Sequence, residues 1–296
     1  MYHYPIHYDE PLYRPPSEAH SLIIQVTLGC SYNKCAFCEM YTSKQFKPRK
    51  EEEVFKDIEA FIPYKDQVKK VFLADGDPMV LSTKRLLNIL HKLKATFPGL
   101  RRVSTYATPT NIRKKSDQEL RELQSAGLTL LYVGIESGDD EVLTSLQKGE
   151  TFKTIVEGIN KASKANMASS VMIINGAGGK LLSKQHAVHS AQVLNEVQPK
   201  YASTLVLTMH KGLEHFENRY LGEYHPMILP DLFTEMKTFM EHLTLQETIF
   251  RSDHASNFLV LKGVLGKDKT LFLNQIEEAL NHPEIANLRH GSLRGF

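Results

Sequence analysis

The chain has 296 residues, 42% hydrophobic and 24% charged, and its 36 basic side chains nearly balance 34 acidic ones, which is typical of a soluble globular enzyme. The net charge of +2 gives no general reason to expect a nucleic-acid partner or an anionic membrane surface. The N-terminus lacks the basic start and apolar core of a secretory signal, and no apolar run approaches the ~20 residues that span a bilayer, so we expect a cytoplasmic protein with no membrane partner.

Six apolar runs rich in β-forming residues follow one another along the chain, and most precede a segment with helical periodicity. The runs are 22–27, 70–74, 101–106, 129–134, 169–174 and 202–207. Strands joined by single helical crossovers form a parallel sheet, because a parallel neighbour can be reached only by a long return connection. The sequence therefore predicts an α/β fold, a partial and open (β/α)6 barrel of the TIM type.

The helix after the third run is the best marked in the chain. Ser116 and Glu119 form a capping-box pattern at its start, and Gly127 marks its end. A helix after the fifth run is predicted over about 183–197, and two helices of the tail over about 231–242 and 268–280.

The chain divides into three parts by the regularity of these patterns. Residues 21–208 contain the six units without a repeat, a low-complexity tract or a flexible linker, so we interpret them as one core barrel. Residues 1–20 are interpreted as an N-terminal arm, and residues 209–296 as an α-rich C-terminal extension that shapes a substrate pocket.

The three cysteines, Cys30, Cys35 and Cys38, lie within nine residues directly after the first predicted strand. A disulfide framework would favour an even number spread along the chain, so thiols this close indicate metal ligands. Plant-type [2Fe–2S] proteins share the C-x4-C-x2-C spacing but need a fourth cysteine, and structural zinc would have to recruit a histidine such as His20. Three thiolates on a [4Fe–4S] cluster would leave one iron with an open position for a substrate.

Polar residues and glycines follow several of the predicted strands. In a parallel α/β barrel the reactive groups collect on the loops that follow strands. Asp75-Gly76-Asp77 follows the second run, Glu136-Ser137 the fourth, and a glycine-rich loop that begins at Gly176 the fifth. Asp75, Asp77 and Glu136 could supply anionic acceptors for a cationic ligand.

The cysteine segment Gly29-Cys30-Ser31-Tyr32-Asn33-Lys34-Cys35-Ala36-Phe37-Cys38 resembles the cluster loop of the radical S-adenosylmethionine (radical SAM) superfamily. The resemblance implies that the three cysteines hold a [4Fe–4S] cluster whose fourth iron binds the amino and carboxylate groups of S-adenosyl-L-methionine (SAM). The commonest family spacing is C-x3-C-x2-C, so this loop has one extra residue. The resemblance covers about residues 21–208.

Further segments match the family in the same order along the chain. Asp75-Gly76-Asp77-Pro78 resembles the family's Gly-Gly-Glu-Pro, which implies that Asp75 or Asp77 holds the ammonium group of SAM. The segment 133–137 resembles the one that binds the ribose hydroxyls, which implies that role for Glu136 and Ser137. The loop at Gly176 loosely resembles the adenine-side motif.

The same resemblance implies a reaction. SAM is cleaved reductively to a 5′-deoxyadenosyl radical, which abstracts hydrogen from an unidentified small-molecule substrate, with electrons from an external flavodoxin- or ferredoxin-like donor. A non-catalytic iron–sulfur or zinc protein is one alternative. A nucleic-acid-modifying radical SAM enzyme is another, suggested by the basic cluster Lys44, Lys47, Arg49 and Lys50, although three glutamates follow it and we interpret it as a solvated face.

Two further predictions concern the surroundings of the site. Phe37, inside the cysteine loop, could shield the cluster, pack near adenine or anchor the core. Arg251, His254 and Asn257 form a polar string in the tail, and we predict that they close over the barrel mouth and contact the substrate.

Overall fold

The computed structural model describes residues 5–289, and it is an α/β fold built around a mostly parallel sheet. The strands are β1 (Leu22–Gln25), β2 (Thr27–Leu28), β3 (Lys47–Pro48), β4 (Lys70–Ala74), β5 (Arg102–Tyr106), β6 (Leu128–Glu136), β7 (Ala168–Asn175), β8 (Tyr201–Val206), β9 (Ile249–Arg251) and β10 (Lys262–Val264). The helices are α1 (Glu51–Ala60), α2 (Thr83–Thr96), α3 (Pro109–Lys114), α4 (Asp117–Ser125), α5 (Asp140–Ser145), α6 (Phe152–Lys164), α7 (Gly179–Val197), α8 (Leu213–Glu217), α9 (Leu229–His242) and α10 (Lys269–Asn281).

The first of two compact units comprises the chain up to Asn33, Cys38–Val133 and Gly158–Ser169. Its strands pair in the order β1-β4-β5-β6, and all three pairings are parallel. Four of the five residues of β4 are buried, as expected for a parallel strand covered on both faces. The short strands β2 and β3 pair antiparallel and close the base of the long loop that carries the cysteines.

The second unit comprises Lys34–Phe37, Gly134–Glu157 and the chain from Ser170 onward. Its strands β7, β8 and β9 are parallel neighbours, and β10 adds to β9 in the antiparallel direction. Helix α9 lies against both α7 and α10. Leu232, Met236 and Phe239 form the buried stripe of α9 at the spacing of one helix face.

The predicted α/β class is confirmed, and the six predicted strands appear as β1, β4, β5, β6, β7 and β8. The capping box at Ser116 and Glu119 is formed, with both reciprocal hydrogen bonds present. The structure adds β9 and β10 in the tail, which was predicted as α-rich, and α7 begins at Gly179 rather than near residue 183. Within the described residues, no helix is both long and apolar enough to span a membrane.

The boundaries predicted at 20/21 and 208/209 stay a prediction. The first four residues of the predicted arm and the last seven of the predicted extension lie outside the described residues.

A buried carboxylate ties the segment before β1 to two strands of the first unit. Glu18 is fully buried, and its Oε1 accepts hydrogen bonds from Nη2 of Arg102 at 2.6 Å and from the hydroxyl of Tyr132 at 2.6 Å. The hydroxyl of Ser21 donates to the other oxygen. A buried charge is tolerated when its lone pairs are occupied in this way.

We expect Glu18→Ala to lower the free energy of unfolding by about 3 kcal/mol, because it leaves Arg102 and Tyr132 without their common acceptor. Urea denaturation followed by far-ultraviolet circular dichroism measures the change. Lys56→Ala, at an exposed position of α1, is the control and should change the free energy by less than about 0.5 kcal/mol. Equal effects of the two substitutions would contradict the structural role of Glu18.

Candidate functional site

The start of the cysteine loop packs against the turn after β4. The backbone N–H of Gly76 donates to the carbonyl of Gly29 at 3.1 Å. A Cβ added at Gly76 would lie 2.8 Å from the Cβ of Cys30 and 2.9 Å from the ring of Tyr41, which is closer than side chains approach. Only glycine at position 76 therefore allows Cys30 to sit against this turn.

The three cysteines are half-buried and form no disulfide. The segment around Cys35 is held within the second unit by two hydrogen bonds. The carbonyl of Cys35 accepts from Nη2 of Arg219 at 2.8 Å, and the N–H of Ala36 donates to the carbonyl of Leu146 at 2.8 Å. Between residues 5 and 289, no three His, Cys, Asp or Glu side chains are grouped as ligands of one ion. In a [4Fe–4S] cluster each thiolate binds a different iron, so its ligands need not surround one point.

Asp75 is fully buried where β4 ends. Its Oδ2 accepts from the N–H of Gly29 at 3.2 Å and from Nζ of Lys44 at 3.2 Å. Burial raises the pKa of this carboxyl, and the positive charge of Lys44 opposes the rise. Lys44 also pairs with Asp9 at 3.0 Å, so it links the N-terminal arm to the end of β4.

The predicted solvated face of the basic cluster is wrong for Lys44. Its side chain is only 6% exposed, because it pairs with the buried Asp75. Arg49 also forms an ion pair, since its guanidinium lies 2.5 Å from the carboxylate of Asp57. Lys47 and Lys50 are exposed, as predicted.

Asp77 is fully buried too, but its partners carry no charge. Its Oδ2 accepts from the hydroxyl of Ser31, inside the cysteine loop, at 2.6 Å, and from the side-chain amide of Asn111. Burial raises the pKa of this carboxyl, and the hydrogen bonds oppose the rise. Among the described residues, Oδ1 of Asp77 accepts no hydrogen bond, whereas the carboxyl of Asp75 also interacts with the hydroxyl of Tyr41. The buried Oδ1 of Asp77, just after β4, is therefore available to a cationic group.

Glu136 ends β6 with a backbone φ of 68°, a left-handed conformation that side chains rarely adopt. Its Oε1 lies 2.9 Å from Nζ of Lys148, and that ammonium lies 5.7 Å from the ring centre of Phe37. A Cβ added at Gly134 would lie 2.0 Å from the same Oε1, so glycine is needed for the carboxylate to fold back over the strand. Lys148 thus holds Glu136 in place above Phe37.

The hydroxyl of Ser137 is fully engaged inside the second unit. It accepts from the N–H of Asp139 at 3.0 Å and lies 2.8 Å from Nδ1 of His186. Nε2 of His186 lies 3.0 Å from the carbonyl of Ile174, which can only accept, so Nε2 carries the hydrogen. Burial lowers the pKa of His186 to about 4, so the ring is neutral at neutral pH and Nδ1 accepts from Ser137. This bond positions the loop after β6.

Gly176 is held at both its backbone groups. Its N–H donates to Oε1 of Glu235 at 2.6 Å, and its carbonyl accepts from the hydroxyl of Tyr224 at 3.0 Å. Glu235 is 3% exposed, and burial raises its pKa to about 7.

The polar string of the tail has structural partners. Asn257 is buried and donates to the carbonyl of Thr204 at 2.8 Å, and Nδ1 of His254 accepts from the N–H of Ser256 at 3.1 Å. Arg251 is exposed and donates to the carbonyl of Phe250 at 2.9 Å. Their predicted contact with a substrate stays a prediction.

Several residues that hold the predicted site residues in place were not predicted in that role, and four of them are Lys44, Asn111, His186 and Glu235. Each lies at least 31 positions from the residue it contacts, so local patterns carry no sign of the contact. Glu235 had one usable signal, since it shares the apolar face of α9 with Leu232 and Met236 and a charged residue there is unusual.

The amino-acid sequence matches a known protein family. A family model described as the Radical SAM superfamily matches residues 24–184. An uncharacterized methyltransferase of Pyrococcus horikoshii is 19% identical over 197 residues, which cover 66% of this chain and 41% of that protein. A GTP 3′,8-cyclase of Pseudomonas putida is 26% identical over 148 residues, which cover 49% of this chain and 41% of that protein. The chain thus spans about two fifths of the length of these curated relatives.

A likeness of fold agrees with the family match. The structure of coproporphyrinogen III oxidase (HemN) from Escherichia coli, a radical SAM enzyme, superposes on this chain with a TM-score of 0.58 at 16% identity. The superposed region covers 75% of this chain and 52% of the HemN chain. At this identity the likeness concerns the fold alone. The family match covers more than half of the chain and includes the cysteine loop, Asp75, Asp77 and Glu136. The chain belongs to the radical SAM superfamily.

Proposed function

We propose that the chain is a radical SAM enzyme that holds a [4Fe–4S] cluster through Cys30, Cys35 and Cys38. When bound, the cluster and SAM supply the reaction chemistry, which is one-electron cleavage to a 5′-deoxyadenosyl radical and abstraction of hydrogen from a small-molecule substrate. The protein takes the electron from an external donor. The observation that carries the proposal is the buried, unpartnered carboxylate oxygen of Asp77, in the turn after β4 that packs against Cys30.

The partners of the two aspartates support different roles for them. Asp75 already has a cation, Lys44, which offsets the charge of its carboxylate. Asp77 is hydrogen-bonded only to neutral donors, and the buried Lys115, which acts on its charge, donates to the carbonyl of Leu81 at 2.8 Å. A buried carboxylate in this state is stabilised by an incoming ammonium group. We assign to Asp77 the ammonium of SAM and to Asp75 the bracing of the cysteine loop.

The residues of the second unit suit the nucleoside half of SAM. Glu136 offers carboxylate oxygens to ribose hydroxyls, and Lys148 fixes its orientation. Ser137 acts through its bond to His186, which orders the loop. Phe37 presents an aromatic ring near Glu136 and Lys148, where it would exclude water. We propose that residues 209–296 shape the substrate pocket.

A closed iron–sulfur carrier is the rival of this proposal. A carrier would use four protein ligands, and the chain contains three cysteines. The two functions differ in turnover, because only the enzyme cleaves SAM.

We expect the protein, reconstituted anaerobically with iron and sulfide and then reduced, to convert SAM to 5′-deoxyadenosine. Cys35→Ala should lose this product to background, because it removes one of three cluster ligands. Liquid chromatography with mass spectrometry measures the product, and iron analysis measures the cluster. Thr42→Ala, at an exposed position of the same loop, should behave like the wild type. A protein that retains zinc but no iron, or holds iron and never cleaves SAM, would refute the proposal.

Substitutions of the two aspartates should differ in their effects on the KM for SAM and on cluster content. We expect Asp77→Asn to raise the KM for SAM by about tenfold or more with unchanged iron content, because a neutral amide loses its attraction for the ammonium group. Asp75→Asn should raise the KM less and instead lower the iron content and the melting temperature, because Lys44 loses its buried partner. Steady-state kinetics of SAM cleavage, iron analysis and thermal melts measure the three quantities.

The opposite order of effects would exchange the two roles. If Asp75→Asn raised the KM more than Asp77→Asn at normal iron content, Asp75 would be the residue that binds the ammonium group.

A further inference from the structure

The loop after β7 is fixed by residues that come from the tail of the chain. Besides the bonds of Gly176 to Glu235 and Tyr224, the side-chain amide of Asn175 donates to the carbonyl of Leu232 at 3.2 Å. A Cβ added at Gly179 would lie 2.7 Å from the carbonyl of His225, so this glycine too is in close contact with the tail.

Among these contacts the one made by Glu235 is unusual. A carboxyl group is costly in a buried position, and the stripe of α9 on which it lies is otherwise filled by Leu232, Met236 and Phe239. A leucine there would contribute to the core at no such cost. The carboxyl group adds an acceptor 2.6 Å from the N–H of Gly176, and it also interacts with the side chain of Ser183 and lies 3.8 Å from Nε2 of His186.

The N–H of Gly176 needs this acceptor because of its backbone. Gly176 has a φ of 88°, which turns the chain away from β7, and its amide then points at α9. If this N–H were buried without a partner, the observed conformation of the loop would be destabilised by about the free energy of one hydrogen bond. The carbonyl of the same residue accepts a hydrogen bond from the hydroxyl of Tyr224.

We infer that Glu235 is a positioning residue for SAM, which sets the shape of the Gly176 loop from a helix outside the region that matches the superfamily. The inference rests on the proposed function, because it takes this loop as the adenine side of the SAM site. Glu235 does not touch the cofactor in this account. It acts through the backbone of Gly176.

Two substitutions separate the hydrogen bond from the packing. Glu235→Gln retains an oxygen that accepts from Gly176, and its new N–H₂ faces the cavity that Glu235 shares with Asn175 and Thr204, whose oxygens lack partners. Glu235→Leu fills the space but removes the acceptor. Met240→Ala, at another fully buried position of α9, is the control for general loss of stability.

The first measurement is hydrogen–deuterium exchange of the protein without cluster or SAM. We expect Glu235→Leu to speed exchange in the peptide 175–179 by about tenfold relative to Met240→Ala, with Glu235→Gln close to the wild type. The inference is overturned if Glu235→Leu and Met240→Ala affect this peptide equally, or if the glutamine variant behaves like the leucine variant.

The second measurement is SAM cleavage by the reconstituted variants. Glu235→Leu should raise the KM for SAM about tenfold and change kcat little, and Glu235→Gln should restore the wild-type KM. Faster exchange in Glu235→Leu with an unchanged KM would overturn the role toward SAM. If the wild type itself cleaved no SAM, the proposed function would fail, whereas the exchange result would still show whether Glu235 holds the loop.

Discussion

Two carboxylates buried at the end of β4 set the conditions for the rest of the first unit's site. Moving a carboxylate out of water costs several kcal/mol unless charges or hydrogen bonds replace the lost hydration. The ion pair with Lys44 offsets part of this desolvation free energy for Asp75, and the hydrogen bonds from Ser31 and Asn111 offset part of it for Asp77. Because Lys44 and Ser31 both belong to the loop between β2 and β3, the need to satisfy the two carboxylates also fixes the cysteine loop against the sheet.

The second unit orders two of its loops with buried polar contacts. The uncharged ring of His186 joins Ser137, after β6, to the carbonyl of Ile174 in β7. Glu235 then holds Gly176, two residues further along the chain. The loops that follow β6 and β7 are therefore ordered by two neighbouring sets of buried polar contacts, and the histidine links β7 to the loop after β6 without carrying a charge.

The six strands of the predicted barrel could be read from the sequence because they follow from local patterns. Buried parallel strands are short apolar runs, and Cys30, Asp75 and Glu136 could be singled out because they follow such runs directly in the sequence. Strands β9 and β10 were missed because each has three residues and exists through pairing with a neighbour rather than through its own pattern. The early start of α7 was missed because it begins at Gly179, a residue with poor helix propensity, and because the next N–H, of Lys180, donates to the distant carbonyl of His225 at 2.9 Å. The proposed roles of Asp75 and Asp77 rest on Lys44, which contacts Asp75 from 31 positions away and so leaves no local pattern in the sequence.

The central claim is that three cysteines leave one iron open for SAM, and electron paramagnetic resonance of the reduced, reconstituted protein tests it most directly. Addition of SAM labelled with ¹⁵N at its amino group should shift the signal of the [4Fe–4S]⁺ cluster, and electron–nuclear double resonance should detect coupling to the label. A spectrum that excess SAM leaves unchanged, with no coupling to nitrogen, would mean that the fourth iron is closed and would contradict the account.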